Sequence, residues 1–180
     1  PLLDFSVASQ SVGEGAGTAT VTLNASSIPV RDLSVGYTVS GTAGGSDHDL
    51  VDGAFTITTG NTTTSATITL TQDSLDEPNE TIILTLGTPT HAALGSTTVH
   101  TVTITDDDPT PTVQWSAASQ SISESAGSGT ITAVLSAASG RNVTVPYTVA
   151  GSAGIGVDHN FNNGSITITA GSTTGSANFT

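Results

Sequence analysis

Three consecutive aspartates, Asp106, Asp107 and Asp108, close an alternating stretch of a sequence that contains no lysine. Two like charges ~4 Å apart repel by about 1 kcal/mol in water and by about 4 kcal/mol at an effective dielectric of ~20. Because Arg31 and Arg141 are the only basic residues, we expect a cation rather than side chains to neutralise these carboxylates. Oxygen ligands are preferred by hard cations, so the pattern indicates Ca²⁺ before Mg²⁺.

The composition disfavours several classes of function. A formal net charge of −13 argues against nucleic acid and anionic membranes as partners, since both need a basic face. No apolar run approaches the length of a membrane span, so we expect no membrane insertion. Cysteine is absent, and neither a Gly-x-Ser-x-Gly motif nor paired histidine ligands indicate an enzyme. Abundant Thr, Ser and Gly favour a secreted or cell-surface bacterial protein.

An internal repeat divides the sequence into two copies. Residues 5–14 recur as residues 115–124, and the motif Tyr-Thr-Val-Ser-Gly at 37–41 recurs as Tyr-Thr-Val-Ala-Gly at 147–151. A unit of about 110 residues has the size of a domain. We predict a complete domain at residues 1–108 (copy one), a linker containing two prolines at 109–111, and a second copy at 112–180 (copy two).

Copy one has the pattern of about seven short strands separated by Gly, Asn, Asp and Pro. The predicted strands cover residues 3–12, with a break in the middle left open, and 18–23, 33–40, 53–58, 64–71, 80–87 and 97–105. No window has the apolar spacing of a helix. This number of strands in about 105 residues predicts an all-β fold, an immunoglobulin-like antiparallel β-sandwich repeated in tandem.

Most acidic residues lie where these strands end. All but Glu124 and Asp158 of the 15 acidic residues belong to copy one. Because neighbouring strands alternate in direction, the ends of strands one, three, five and seven are expected at the same pole of the sandwich. The carboxylates expected to converge there are Glu14, Asp47, Asp73, Glu77, Asp106, Asp107 and Asp108.

Five motifs of copy one, taken in order, resemble those of the Calx-β domain. They lie at 13–17 (Gly-Glu-Gly-Ala-Gly), 45–47, 73–81, 93–95 and 104–108. This module occurs in sodium–calcium exchangers, in the cytoplasmic tail of β4 integrin and in large bacterial surface proteins. The resemblance implies an immunoglobulin-like sandwich whose pole binds several Ca²⁺ ions. It implies ligands at the same seven residues, with Glu80 as a further candidate, whereas Gln72 replaces an aspartate frequent in calcium-binding members.

Several of these residues also have a structural interpretation. The three aspartates could form a solvated start of the linker, and Glu14 could accept backbone N–H groups of its glycine-rich turn. Glu80 could equally cap the sixth strand. Asp49 and Asp52 are interpreted as turn formers, because their spacing does not match an EF-hand loop. Trp115 takes the place of Phe5 and is expected to pack in the core or against a neighbouring domain.

Copy two lacks counterparts of the sixth and seventh strands. In an immunoglobulin-like sheet these strands lie beside the third strand, so residues 142–150 would expose unpaired backbone groups. We therefore expect strands from neighbouring repeats or from a strand-donating chain to complete this copy. Its calcium site is expected to be partial, with only Glu124 and Asp158 present.

The leading hypothesis is a calcium-binding structural or adhesive repeat module of an extracellular bacterial protein, in which Ca²⁺ rigidifies the interdomain pole. The alternative is a calcium-sensing regulatory module, as in sodium–calcium exchangers. Affinity separates the two, since extracellular modules bind Ca²⁺ at about 10⁻⁴–10⁻³ M and cytosolic sensors bind at micromolar levels or below.

Overall fold

Alternating apolar and polar residues form β-strands throughout the computed structural model, which describes all 180 residues. The only helical elements are two short 3₁₀ turns, Glu14–Ala16 and Glu124–Ala126. The all-β prediction is therefore confirmed. None of these helical turns has the length or apolar character needed to span a membrane.

The chain forms two compact units. Unit 1 contains Pro1–Asp73 and Pro78–Asp107, and unit 2 contains Ser74–Glu77 and Asp108–Thr180. Most of copy one thus lies in unit 1 and copy two lies in unit 2. The short segment Ser74–Glu77 belongs to copy one by sequence but packs with unit 2.

Unit 1 is a sandwich of two sheets. One sheet has the strand order β6-β3-β1-β8 and the other has the order β2-β9-β7-β4-β5. All neighbouring strands are antiparallel except the parallel pairs β1–β8 and β2–β9. The strands are β1 (Leu2–Phe5), β2 (Ser9–Gly13), β3 (Thr18–Ala25), β4 (Leu33–Gly41), β5 (Gly53–Ile57), β6 (Thr63–Thr69), β7 (Glu80–Thr90), β8 (Ala93–Leu94) and β9 (Val99–Thr105).

The core of unit 1 is built mainly from aliphatic residues on alternate positions of these strands. In β7, for example, Ile82 and Leu84 are fully buried while the threonine at position 85 faces outward. Full burial of such a side chain contributes about 1.5–3 kcal/mol. Few aromatic residues contribute to this core. Among them, Phe5 packs edge-on against Phe55 with ring centroids 6.0 Å apart. The clean alternation explains why the strands could be predicted from sequence.

Strand directions place the acidic loops at one end of the sheet. Strand β2 is parallel to β9, and β7 is antiparallel to both β9 and β4. The loops that follow β2, β4 and β9 therefore leave the five-stranded sheet at the same end. The strand predicted at residues 3–12 is broken in the middle, an alternative that the sequence analysis left open. Its first part, β1, pairs in one sheet, and its second part, β2, pairs in the other. The two-residue strand β8 was not predicted.

Unit 2 contains five strands in two small sheets, β10-β11-β14 and β12-β13. They are β10 (Val113–Trp115), β11 (Gly129–Leu135), β12 (Val143–Tyr147), β13 (Gly164–Ile168) and β14 (Thr174–Phe179). Its fully buried core is limited to Ala133, Leu135, Ile166 and Ile168.

The structure does not place Trp115 in the core of unit 2, and packing against a neighbouring domain stays a prediction. Trp115 is 45 % exposed, whereas its counterpart Phe5 is 3 % exposed. Phe5 packs against His100 of β9, with ring centroids 5.5 Å apart. Among residues 112–180 no strand takes the position that β9 has in unit 1, which leaves the tryptophan ring partly exposed.

Candidate metal centre

Glu14 is positioned by a tight turn directly after β2. The strand ends at Gly13, and a 3₁₀ turn begins at Glu14 and closes at Gly17, whose φ of 75° requires a glycine. The Glu14 side chain is buried, and its Oε1 accepts a hydrogen bond of 2.7 Å from the backbone N–H of Asp73. A carboxylate offers about four acceptor positions, and this bond uses one of them.

Glu14, Asp73 and Asp108 form the first group of carboxylates. Each contributes one oxygen, and the three oxygens lie within 4.8 Å of one another. Calcium–oxygen distances of about 2.3–2.6 Å allow ligands on opposite sides of one ion to lie up to about 5 Å apart. The three oxygens are therefore close enough to one another to share a single Ca²⁺ ion. Asp108 adjoins Asp107 of unit 1 in the chain.

Asp47, Glu77 and Glu80 form the second group, which meets the same 4.8 Å criterion. Asp47 is held by its own loop, because its carboxylate accepts hydrogen bonds from the Ser46 hydroxyl at 2.9 Å and from the backbone N–H of Gly44. Glu80 opens β7, and Glu77 adjoins Pro78 of unit 1. The structure thus resolves the single predicted pole into two carboxylate groups, and it brings Glu80 into one of them.

Asp106 and Asp107 belong to neither group. The backbone N–H of Asp106 donates to Asn79 Oδ1 at 3.2 Å. Asp107 Oδ1 accepts a hydrogen bond of 3.1 Å from the amide of Gln72, which also donates to the carbonyl of Asp73. Gln72 occupies the position at which calcium-binding members of the resembling family often have an aspartate. Its side-chain amide donates an N–H to Asp107. Gln72 therefore occupies one acceptor position of the Asp107 carboxylate and adds no negative charge.

Asp49 and Asp52 are used as turn residues, in agreement with the sequence interpretation. Asp49 Oδ1 accepts the backbone N–H of Thr69 at 2.8 Å, and Asp52 Oδ1 accepts that of Val39 at 2.7 Å. Hydrogen bonds from Thr69 lower the pKa of Asp49, and the nearby His48 adds to the effect. These carboxylates connect adjacent loops and strands and take no part in either carboxylate group.

Asp76 is a buried anchor that the sequence analysis missed. Within unit 2 its carboxylate accepts hydrogen bonds from Arg141 Nη2 at 2.8 Å, Thr110 Oγ1 at 3.0 Å and Ser139 Oγ at 3.2 Å. The Arg141 guanidinium, opposed by burial of the carboxyl, lowers the pKa of Asp76. Asp76 and Arg141 form a salt bridge, and Ser139 beside it is buried. The sequence did offer a signal for this contact. The chain has only two Lys or Arg residues, so Arg141 could be expected to pair with one of the many carboxylates.

Copy two presents only its two predicted candidates. Glu124 opens the second 3₁₀ turn but is exposed, and Asp158 accepts the backbone N–H of Gly154 at 2.7 Å. Both line one open cleft of about 240 Å³. Neither of them belongs to a group of three converging carboxylates.

Comparison with known proteins decides the family. The sequence profile of the Calx-beta domain matches residues 1–108 and again residues 106–179. The chain belongs to the Calx-beta domain family. No curated protein sequence matches it.

Solved structures of other Calx-beta proteins share the fold. CBD12 from CALX1.2 aligns over 99 % of this chain and 74 % of its own, with a TM-score of 0.57 and 18 % identity. The calcium binding domain CBD12 of CALX1.1 aligns over 98 % and 74 %, with a TM-score of 0.56 and 20 % identity. The apo form of the Calx CBD1 domain covers 59 % of this chain and 96 % of its own, with a TM-score of 0.54 and 25 % identity.

Proposed function

We propose that this Calx-beta chain binds Ca²⁺ through the two carboxylate groups of copy one. The observation that carries the proposal is the convergence of three acidic side chains in each group to within 4.8 Å. The chain has only two Lys or Arg residues against 15 acidic residues. A bound divalent cation is the simplest source of compensating charge.

The donor set fits calcium better than the other common protein-bound divalent cations. All candidate ligands are carboxylate oxygens, and cysteine is absent, which disfavours zinc and other soft metals. Mg²⁺ demands near-ideal octahedral geometry at about 2.0–2.1 Å and keeps several waters. Loop carboxylates with varied backbone positions suit the larger and more adaptable Ca²⁺ shell. The similarity to a protein described as a calcium binding domain supports the same assignment.

The role we propose is structural, in a secreted or cell-surface protein of bacterial type. Asp108 belongs to the first carboxylate group and is followed directly by Pro109 and the linker. An ion held by Asp108 would restrain the residue from which the linker starts, and proline already limits the linker backbone. Calcium would thereby stiffen this part of the chain, as an adhesive repeat requires. The composition supports an exported protein.

A calcium titration tests the proposal. Calorimetry on the chelator-treated chain at low salt should show Ca²⁺ binding, with Mg²⁺ weaker. A dissociation constant of about 10⁻⁴–10⁻³ M supports the extracellular structural role. Binding at micromolar levels or below favours a regulatory calcium sensor instead. No heat and no thermal shift at millimolar Ca²⁺ would exclude calcium binding altogether.

A further inference from the structure

Strand β6 forms one edge of the four-stranded sheet of unit 1. It pairs with β3 on one side and with no strand on the other. The backbone N–H of Leu70, just after β6, donates to the carbonyl of Gly17, just before β3, at 2.9 Å. Backbone groups alternate in direction along a strand. The even-numbered residues of β6 therefore bond to β3, and the odd-numbered residues present their N–H and C=O groups to the free edge.

A loop residue closes one end of this free edge. Thr69 is the last residue of β6, and its backbone N–H donates to Asp49 Oδ1 at 2.8 Å. The carbonyl of Thr69 accepts the backbone N–H of Asp49 at 3.2 Å. Asp49 thus occupies the backbone groups of Thr69 as a neighbouring strand would. The open edge is limited to residues 63–67, and its midpoint is Ser65.

The same cap recurs in copy two, where β14 takes the place of β6. The backbone N–H of Thr180 donates to Asn160 Oδ1 at 2.9 Å, and its carbonyl accepts the N–H of Asn160 at 2.9 Å. In the repeat, Asn160 corresponds to Asp49 and Thr180 corresponds to Thr69. A charged and a neutral residue thus cap the same position, so the cap belongs to the repeat and does not depend on charge.

Strand β6 itself carries none of the usual protection against pairing with another chain. Natural edge strands are commonly protected by charged residues, proline or a β-bulge. Strand β6 reads Thr-Thr-Ser-Ala-Thr-Ile-Thr, and it pairs with β3 in an unbroken register. The side chains of Thr63, Ser65 and Thr67 are exposed. Its open edge can therefore accept a further strand.

Charge also distinguishes this side of unit 1. Residues 53–72 contain β5 and β6, the edge strands of the two sheets, and include no charged side chain. The whole chain has a formal net charge of −13, so two copies repel one another in general. The uncharged side is where they can approach without placing carboxylates face to face.

We propose that β6 is a self-association site, at which a second copy of this chain adds its own β6 in antiparallel orientation. Because the open edge is centred on Ser65, the two-fold axis passes between the two Ser65 residues, and Thr63 of each copy faces Thr67 of the other. Each facing pair exchanges two backbone hydrogen bonds. The two four-stranded sheets join into one, and the isologous contact closes at two copies. This proposal does not rest on calcium binding.

The Asp49 cap fixes this register and keeps its own charge out of the interface. Pairing displaced toward Thr69 is blocked, because Asp49 already holds the backbone groups of that residue. In the centred register the two Thr69 residues lie about eight positions apart along the strands, or roughly 27 Å. That separation exceeds the screening length of about 8 Å at physiological salt. Repulsion between the two Asp49 carboxylates therefore does not oppose the dimer.

Sedimentation equilibrium of the full chain, in chelator and at physiological salt, tests the proposal. The short, hydroxyl-rich contact predicts a reversible dimer with a dissociation constant between about 1 μM and 1 mM. Hydrogen exchange supplies a residue-level signature. At concentrations that favour the dimer, the amides of Thr63, Ser65 and Thr67 should exchange more slowly than in the monomer. The amides of the even-numbered residues should be protected at every concentration, since they bond to β3.

A charge swap at Ser65 tests the two-fold register. Ser65→Lys and Ser65→Glu each place like charges opposite one another and should raise the dissociation constant about fivefold or more. An equimolar mixture of the two variants should associate more tightly than either variant alone, because the facing charges are then opposite. Thr20→Lys is the matched control, since it adds the same charge to an exposed residue of β3, away from the edge. It should leave the dissociation constant unchanged.

Proline separates β6 from β14. Ser65→Pro removes an N–H that points to the free edge and leaves the β3 ladder intact, a position at which sheets tolerate proline. It should abolish the dimer. Ser176→Pro makes the same change at the counterpart in β14 and should leave the dimer intact.

Four results would overturn the proposal. The first is a chain that stays monomeric up to millimolar concentration. The second is equal weakening by Ser65→Lys and Thr20→Lys. The third is a charge-swap mixture that associates no better than its components. The fourth is a dimer lost in Ser176→Pro and kept in Ser65→Pro, which would place the contact on β14.

Discussion

Glu14 Oε1 accepts the backbone N–H of Asp73 at 2.7 Å, which joins the turn after β2 to the loop after β6. The same two residues supply two of the three oxygens in the first carboxylate group. The hydrogen bond therefore holds two candidate ligands together before any ion arrives. Preorganised ligands lose less conformational entropy on binding, and this contact accordingly favours the first group as the tighter site.

Glu14→Gln should weaken calcium binding by at least about tenfold, the equivalent of 1.4 kcal/mol. The amide oxygen of glutamine can still accept the Asp73 N–H, so the stability of the metal-free chain should change little. Glu124→Gln is the matched control, because Glu124 occupies the corresponding turn of copy two but belongs to no group of three converging carboxylates. Calorimetry of both variants measures the difference. Equal effects of the two substitutions would contradict the role assigned to Glu14.

Asp108→Asn should reduce calcium affinity more than Asp106→Asn. Both residues belong to the same acidic run, so they contribute equally to the net charge. Only Asp108 places an oxygen within 4.8 Å of Glu14 and Asp73. A titration of each variant compares their dissociation constants. If Asp106→Asn has the larger effect, the first group has been assigned the wrong aspartate.

Calcium should raise the melting temperature of the chain through its copy-one sites. A ligand present at 100 times its dissociation constant stabilises the folded state by about 2.7 kcal/mol. For a domain of this size that corresponds to a shift of roughly 10 °C or more. Calorimetric melting with Ca²⁺ and with chelator measures it, and the Glu14→Gln variant should show a smaller shift. Superimposable curves would rule out a stabilising role for the ion.

The alternation of apolar residues predicts most of the strands, while the details of the site depend on distances that no pattern contains. The alternation of strand directions was enough to predict that the acidic loops lie at one end of copy one. It could not divide the carboxylates into two groups, because that depends on loop conformations such as the Ser46–Asp47 hydrogen bond. The ligand assignments themselves stay a prediction.

Two other features escaped prediction for identifiable reasons. Strand β8 has two residues, too few for an alternating pattern. Asp76 finds its partners Ser139 and Arg141 more than 60 positions away in the sequence, and no local motif signals such a contact. Its position within a predicted calcium motif concealed its structural use.

Arg141→Gln should destabilise unit 2 at neutral pH, because it leaves the buried Asp76 carboxylate without its charged partner. The pKa of Asp76 is lower in the folded state than its ordinary value of 3.8. Its ionised form therefore stabilises the fold above that pH, and this contribution is lost as the pH falls through the lowered folded pKa. The difference between wild type and variant should be full at pH 7 and shrink below pH 3.8.

Denaturant unfolding followed by the fluorescence of Trp115 measures this difference in unit 2, since Trp115 is the chain's only tryptophan. Arg31→Gln is the control, because it removes the same charge from an exposed residue that forms no salt bridge. A pH-independent loss of stability in Arg141→Gln would mean that the arginine acts through packing alone.

Gly41→Ala should destabilise unit 1 far more than Gly151→Ala destabilises unit 2. Both changes place a side chain at positive φ, which costs about 1–3 kcal/mol. At Gly41 the methyl group also collides with the Thr81 carbonyl and would push β7 away from β4, an overpacking cost of about 1–3 kcal/mol more. At Gly151 it enters open space. Urea unfolding monitored by circular dichroism, with Trp115 fluorescence reporting unit 2 alone, separates the two effects. Equal losses in both variants would show that strain at positive φ, and not the approach of β7, requires glycine at these positions.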